Sequence, residues 1–129
     1  MKKYDDFNIV SLVEFHLASK VFHWQTKQYA MHIATGGFYE SMDVLIDTFV
    51  ETIQSKYGRV QISRDLKIPN LSEFKGLDEL MKNYILPFET FLLKDLVKQL
   101  NKEVDTDLFN LRDEMLSELN KLKYLLTLK

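Results

Sequence analysis

Two histidines, His16 and His23, stand seven residues apart, so on a helix they lie nearly one above the other, two turns apart. Further along, Glu40, Asp43, Asp47 and Glu51 recur at helical spacing on one side of a second segment. Imidazole and carboxylate are the ligands that suit iron, zinc and manganese, so the two sets together point to a divalent metal site. Each set alone has a plainer account: a single histidine is commonly a packed, hydrogen-bonded side chain, and an acidic stripe is commonly a solvated face. The chain has no cysteine, which removes disulfides, thiolate nucleophiles and Cys-ligated zinc or iron–sulfur sites. A metal centre here must be built from histidine and carboxylate.

The elements that would position these groups are helices. The chain has 129 residues, which fits a single domain spanning residues 1–129. Its 4 Gly and 2 Pro are far below the roughly 12% of average usage, which argues against a turn-rich β fold. Residues 7–26 form the first helix. A second follows the Lys27-Gln28 break and runs to Tyr57, where Gly58 stops it. Gly36-Gly37 lies inside it, so the helix either starts only at Phe38 or crosses both glycines at about 1 kcal/mol each. Residues 59–75 lose periodicity, and Pro69-Asn70 marks a long crossover. Residues 77–85 form a short helix, and Pro87 either kinks it or opens a third long helix reaching about residue 101. Asp105-Thr106-Asp107 caps the fourth, whose Leu108, Leu111, Met115, Leu119, Leu122 and Leu126 make one apolar stripe. The expected fold is all-α, a four-helix bundle with a long crossover between helices 2 and 3 that carries a short extra helix.

In the second helix Phe38, Met42, Leu45, Phe49 and Ile53 form the core stripe, opposite the acids. The first helix carries two apolar stripes: Val10, Val13, Leu17, Val21 and Trp24 read as core, which leaves Phe15, Ala18 and Phe22 facing outward. Large aromatics on the outside predict a partner chain. On the third helix Glu89 is the one inward acid, while Asp113, Glu114 and Glu118 of the fourth lie off its core stripe.

With 17 Lys+Arg against 19 Asp+Glu the net charge is −2, so nothing draws the whole molecule to nucleic acid or an anionic membrane. No run approaches 18 uncharged apolar residues, and Met1-Lys2-Lys3-Tyr4-Asp5-Asp6 is a poor export signal. A cytoplasmic location, in a cell or an infected host, is expected.

Several strings carry a resemblance. Lys20-Val21-Phe22-His23-Trp24 resembles the Lys-x-x-His-Trp that ends the first helix of the Dps-type mini-ferritins, a branch of the ferritin-like superfamily. Asp47-Thr48-Phe49-Val50-Glu51 resembles the Asp-x-x-x-Glu of their second helix. His32, 15 residues before Asp47 and 19 before Glu51, keeps the spacing of that family's second histidine ligand, and Gly37-Phe38 falls where the family often has Gly-Phe. The likeness is strongest over residues 20–51, and is greatest to short ferritin-like proteins of unknown role encoded by phages and viruses.

The resemblance implies a ferritin-like bundle and a ferroxidase-like site shared between chains, with His23 and His32 of one subunit facing Asp47 and Glu51 of its twofold partner. It implies iron, as Fe(II) and Fe(III), with zinc or manganese as substitutes, serving iron sequestration or oxidative protection. It implies a homo-oligomer, a dimer at least and a dodecamer in the family; neither DNA nor a membrane is an expected partner. Two features depart from the family pattern. The loop between the first two helices is about three residues short, and Gly36 occupies the place of an aspartate ligand one turn after His32. Glu40 lies one turn further along, about 5.4 Å away, and is the candidate substitute. The competing reading is a non-catalytic helical oligomer, a phage structural or regulatory protein, that keeps the dimer face without turnover.

Overall fold

A computed structural model of the chain describes residues 9–60, 65–67 and 76–128. The Met1-Lys2-Lys3-Tyr4-Asp5-Asp6 tail, Phe7 and the Pro69-Asn70 turn lie outside the described residues. The described residues form four helical rods and contain no strand.

Helices α1 (Val10–Gln25) and α2 (Tyr29–Tyr57) are joined by three residues. Thr26 leaves the helix with extended backbone (φ −66°, ψ 144°), and its hydroxyl accepts the Gln28 N–H at 3.1 Å. Such a short connection forces the two helices back along each other as an antiparallel hairpin. With 29 residues, α2 spans about 43 Å. It begins at Tyr29 and passes straight through Gly36-Gly37, then ends where Gly58 takes φ 99°, a conformation that L side chains rarely adopt. Part of the crossover is anchored beside α1, because the Lys67 N–H donates to Glu14 Oε2 at 2.6 Å.

The third rod, α3, is continuous over residues 77–99 but not regular. Wide π-type turns at Met81–Ile85 and Phe91–Asp95 alternate with α segments at Leu77–Leu80 and Leu86–Thr90, and the rod tightens at Leu96–Gln99. Pro87 neither breaks it nor begins a new helix. The wide turn before it gives the ring room and already displaces the hydrogen bond that a proline cannot donate. In the second wide turn the Leu92 carbonyl accepts from Arg112 Nη1 at 3.1 Å. The last rod, α4 (Thr106–Leu125), buries Leu108, Met115, Leu119 and Leu122 as its spacing predicts, with Leu126 buried just beyond its end and Leu111 partly covered.

All four rods contribute to one apolar core. On α2 Phe38, Met42, Phe49 and Ile53 are buried, together with Met31, Ala34, Thr35 and Ile46, and Leu45 is half-buried at the edge. On α1 the expected assignment of the two faces is reversed. Phe15, Ala18 and Phe22 are buried together with Leu12, whereas Trp24 is 59% exposed and Val13 and Leu17 are only partly covered. Val10 and Val21 are buried at the boundary between the faces. The reason lies in α3: Phe15 stacks on Phe88 at 4.1 Å between ring centroids and meets Phe38 edge-on at 5.6 Å, while Phe22 meets Tyr84 edge-on at 4.9 Å. Burying two phenylalanines against aromatic partners removes more apolar area than burying Val13 and Leu17. Phe22 is therefore a core residue and not a docking residue.

Candidate metal centre

His23 sits in the last turn of α1 and His32 in the first turns of α2, so the hairpin brings them together. Their rings stack with centroids 3.9 Å apart and planes 16° from parallel. His23 Nδ1 lies 2.7 Å from the His32 carbonyl oxygen, and His32 Nδ1 lies 2.9 Å from the His23 carbonyl oxygen. A carbonyl oxygen can only accept, so each Nδ1 carries its proton and each Nε2 is left with the free lone pair. Thr35 Oγ1, which donates to the Met31 carbonyl at 2.7 Å, adds a contact of 3.3 Å to His23 Nδ1. Holding Nδ1–H on a carbonyl fixes the ring and its tautomer, the usual arrangement behind a metal-ligating histidine.

Gly36 explains how the pair fits. A Cβ at position 36 would come within 2.8 Å of His23 Cε1 and 3.2 Å of its Nδ1, whereas one at Gly37 would meet nothing within 4 Å. The His23 ring lies against the bare backbone of α2 and fills the place an aspartate side chain would need. That place is on the acidic side of the helix: Gly36, Asp43, Asp47 and Glu51 fall within about 80° of one another around α2.

The acids are where periodicity puts them. Glu40, Asp43, Asp47 and Glu51 are all exposed, and among the described residues no ion pair involves Glu40, Asp47 or Glu51. Within one chain they do not meet the histidines. His32 is 15 residues before Asp47 and 19 before Glu51, a rise of about 22 and 28 Å along a straight helix. Among the described residues no three His, Asp or Glu side chains come together in one chain. Glu40, on the same side of α2 as Asp47 and Glu51, borders a groove between α2 and α4 that Ile33, Lys121 and Leu125 also line. Glu89, the expected inward acid, is ion-paired with Lys123, and Asp113 and Glu114 are exposed.

His16, the other histidine of α1, is engaged differently. Its ring stacks on Tyr39 at 4.4 Å, with Nε2 3.3 Å from the Tyr39 carbonyl oxygen and 3.8 Å from Asp43. Burial lowers its pKa below 6.5; the Tyr39 carbonyl and Asp43 offset this only in part, and Lys20 adds to it. Lys20 donates to the Tyr39 hydroxyl at 3.0 Å and lies over the rings of Trp24 and Tyr39 at 5.2 and 4.9 Å.

A polar cluster that sequence reasoning missed closes the other end of α2. Asp105, fully buried, accepts from the Tyr57 hydroxyl at 2.5 Å and from Lys56 at 2.9 Å on Oδ1, and from the Asn101 N–H at 2.8 Å on Oδ2. Lys56 also reaches Asp107 at 2.9 Å and the Val104 carbonyl at 2.6 Å. Burial alone would raise the Asp105 pKa, but Tyr57, Asn101 and Lys56 outweigh it and hold the carboxyl below its ordinary value. No sequence signal joins Tyr57 to Asp105, which stand 48 residues apart.

The chain is thus an all-helical protein whose longest helix carries a backbone-anchored imidazole pair at one end and exposed acids further along. Residues 23–126 match the model of a family of unknown function, DUF5856, and the chain belongs to that family. The match begins at His23 and takes in His32, Gly36, Asp47 and Glu51. No curated protein and no solved structure matches the chain.

Proposed function

We propose that this protein is a mini-ferritin-like iron-binding protein, a ferritin-like four-helix bundle whose metal sites form between two copies of the chain. The observation that carries the reading is the His23–His32 pair, in which both Nδ1 atoms are committed to carbonyls and both Nε2 lone pairs are left over. The unpaired Asp47 and Glu51 complete the donor set. They repel each other at i,i+4 spacing, a small strain that a cation between them would relieve. A second copy with its α2 antiparallel across the acidic face brings its Asp47 and Glu51 beside the first copy's histidines.

The face also has apolar side chains to bury. Trp24, Tyr29, Ile33 and Val44 are 59%, 78%, 54% and 66% exposed, and Tyr29, Ile33 and Val44 share the side of α2 that bears the acids. These residues, and not Phe15 and Phe22, are the basis for self-association. Fe(II) is the substrate in this reading. Bound by imidazole and carboxylate it would give one electron to an oxidant of the dioxygen or peroxide class, and the carboxylates would favour the more highly charged Fe(III). Among the described residues no helix is long and apolar enough to cross a membrane.

Sedimentation at micromolar concentration with anaerobic Fe(II) titration, followed by oxygen admission, tests the proposal. A dimer or larger species that binds Fe(II) and consumes oxygen in proportion is expected. A monomer that binds none would overturn it, and an oligomer without oxygen uptake would favour the non-catalytic reading.

A further inference from the structure

We propose that the groove between α2 and α4 is a binding site for a small cationic amphiphile, an alkyl or arylalkyl ammonium whose apolar body lies along the groove and whose head meets Glu118. This inference goes beyond the metal reading and does not rest on it.

The groove has a volume of about 590 Å³, within the roughly 300–1,000 Å³ of small-molecule sites. Ile33, Ala34 and Gly37 form its α2 wall, and Leu122, Leu125 and Leu128 its α4 wall. Space remains there because α2 presents small residues: a Cβ at Gly37 would meet nothing within 4 Å. The groove runs from Tyr29 to Ser41, about 18 Å along the helix, so its cross-section averages about 33 Å². A helix with its side chains is about 10–12 Å across and needs more than twice that area. An alkyl chain or an aromatic ring set edge-on fits, so the occupant is a slender apolar molecule and not a partner helix.

Charge selects its head. Helices α2 and α4 run antiparallel, with Lys56 near the end of α2 paired to Asp105 and Asp107 at the start of α4. At the other end Tyr29 shares the groove with Leu128. Glu118 therefore stands roughly level with Glu40 and Ser41, at the end of the groove away from Tyr29. Among the described residues that line it, Glu40, Glu118 and Lys121 are charged. Glu40 and Lys121 are exposed, whereas Glu118 is half-buried. Among the described residues no hydrogen bond or ion pair reaches the Glu118 carboxylate or the Ser41 hydroxyl. A carboxylate partly withdrawn from water beside leucines, with no donor, carries a desolvation cost that a cation offsets. An ammonium head has three protons to donate, enough for Glu118, Ser41 and Glu40 at the rim. An anionic head would set like charge against the least hydrated charged group of the groove.

The test titrates metal-free protein with octylammonium, octanol and octanoate, followed by amide chemical shifts in NMR spectra. Octylammonium is expected to give saturable shifts at Ala34, Gly37, Ser41, Leu122 and Leu125 and to bind more tightly than octanol, with octanoate weakest. From butylammonium to octylammonium the affinity should rise roughly two- to fourfold per methylene. Glu118→Gln should weaken octylammonium about tenfold, the loss of one charge-assisted contact, and leave octanol unchanged; Lys121→Gln should not weaken the amine. Gly37→Leu, which has open space around its Cβ, should keep the folded spectrum and abolish binding of all three probes. No saturable shift at these amides, tighter binding of octanoate than of octylammonium, or an amine affinity indifferent to Glu118→Gln would overturn the inference. None of these results bears on metal binding, so the shared-site reading stands or falls separately.

Discussion

In its first turns α2 is joined to α1 by two imidazoles and two backbone carbonyls; in its last turns it is joined to α4 by Lys56, Tyr57 and two carboxylates. Both joints hold a helix end in place, but they differ in what they leave over. At the Asp105 joint both carboxylate oxygens are taken by Tyr57, Lys56 and the Asn101 N–H, and Lys56 spends its ammonium on Asp105, Asp107 and the Val104 carbonyl. At the histidine joint one nitrogen of each ring does the holding and the other keeps its lone pair. The difference teaches where to look for chemistry: a cluster whose donors and acceptors all serve each other is structure, and one that holds itself with half its atoms has the rest for a ligand.

The largest expected effect comes from breaking the saturated joint. Asp105→Ala takes the carboxylate acceptor away from the Tyr57 hydroxyl and the Asn101 N–H and leaves Lys56 with Asp107 and the Val104 carbonyl, and is expected to lower stability by about 3 kcal/mol or more in urea unfolding, with metal affinity unaffected in the fraction still folded. A loss below about 1 kcal/mol would show that the joint is dispensable.

Asp105 and His16 should also separate on a pH axis. Asp105 has a folded pKa below its ordinary 3.8, so the stability it contributes is fully present above that value and is lost as pH falls from 3.8 through the lower folded pKa. His16 is likewise depressed, from 6.5. Folding then favours its uncharged form, and the stability it contributes is present above pH 6.5 and declines as pH falls from there through its folded pKa. Urea midpoints between pH 8 and pH 3 should show two separate declines, with His16→Gln removing only the upper one. An upper decline that persists in His16→Gln would assign it to another group.

A smaller effect isolates the seat under His23. Gly37→Ala should raise stability by about 0.5–1 kcal/mol, the ordinary gain for alanine over glycine within a helix. Gly36→Ala should gain nothing, because its methyl group meets the His23 ring, and the gain should return when Gly36→Ala is made together with His23→Ala. Equal gains at both glycines would mean that the ring is not seated there. Smallest of all, Asp47→Asn with Glu51→Gln should leave the metal-free protein unchanged or raise its stability by a few tenths of a kcal/mol, since only a like-charge pair is removed. A drop of several kcal/mol would make these acids structural.

What could be read in the sequence depended on whether one helix sufficed to decide it. The acidic side of α2, its core stripe and the stripe of α4 follow from the 3.6-residue period alone; the structure departs from them at Leu45 and Leu111, which are only partly covered, and at Ile46, which is buried beside Leu45. The two faces of α1 could not be ranked from α1, since the choice between Phe15/Phe22 and Val13/Leu17 is made by Phe88 and Tyr84 on α3. Gly36 looked like a missing ligand because sequence shows what a residue lacks and not what fills the space; only the hairpin reveals the His23 ring there. Asp105 looked like a helix cap, and its carboxylate instead serves Tyr57 and Lys56 across the fold. The continuity of α3 past Pro87 was hidden because wide turns have no simple period.

Mixing two defective chains tests the shared site most directly. His23→Ala lacks the imidazole, and Asp47→Asn with Glu51→Gln lacks the carboxylates, so homo-oligomers of either should bind no Zn(II) or Fe(II) tightly. After unfolding and refolding together, mixed pairs join the intact His23 of one chain to the intact acids of the other, and the account predicts that metal binding returns in part. If the mixture binds no more metal than the separate variants, the histidines and acids do not form a site across two chains.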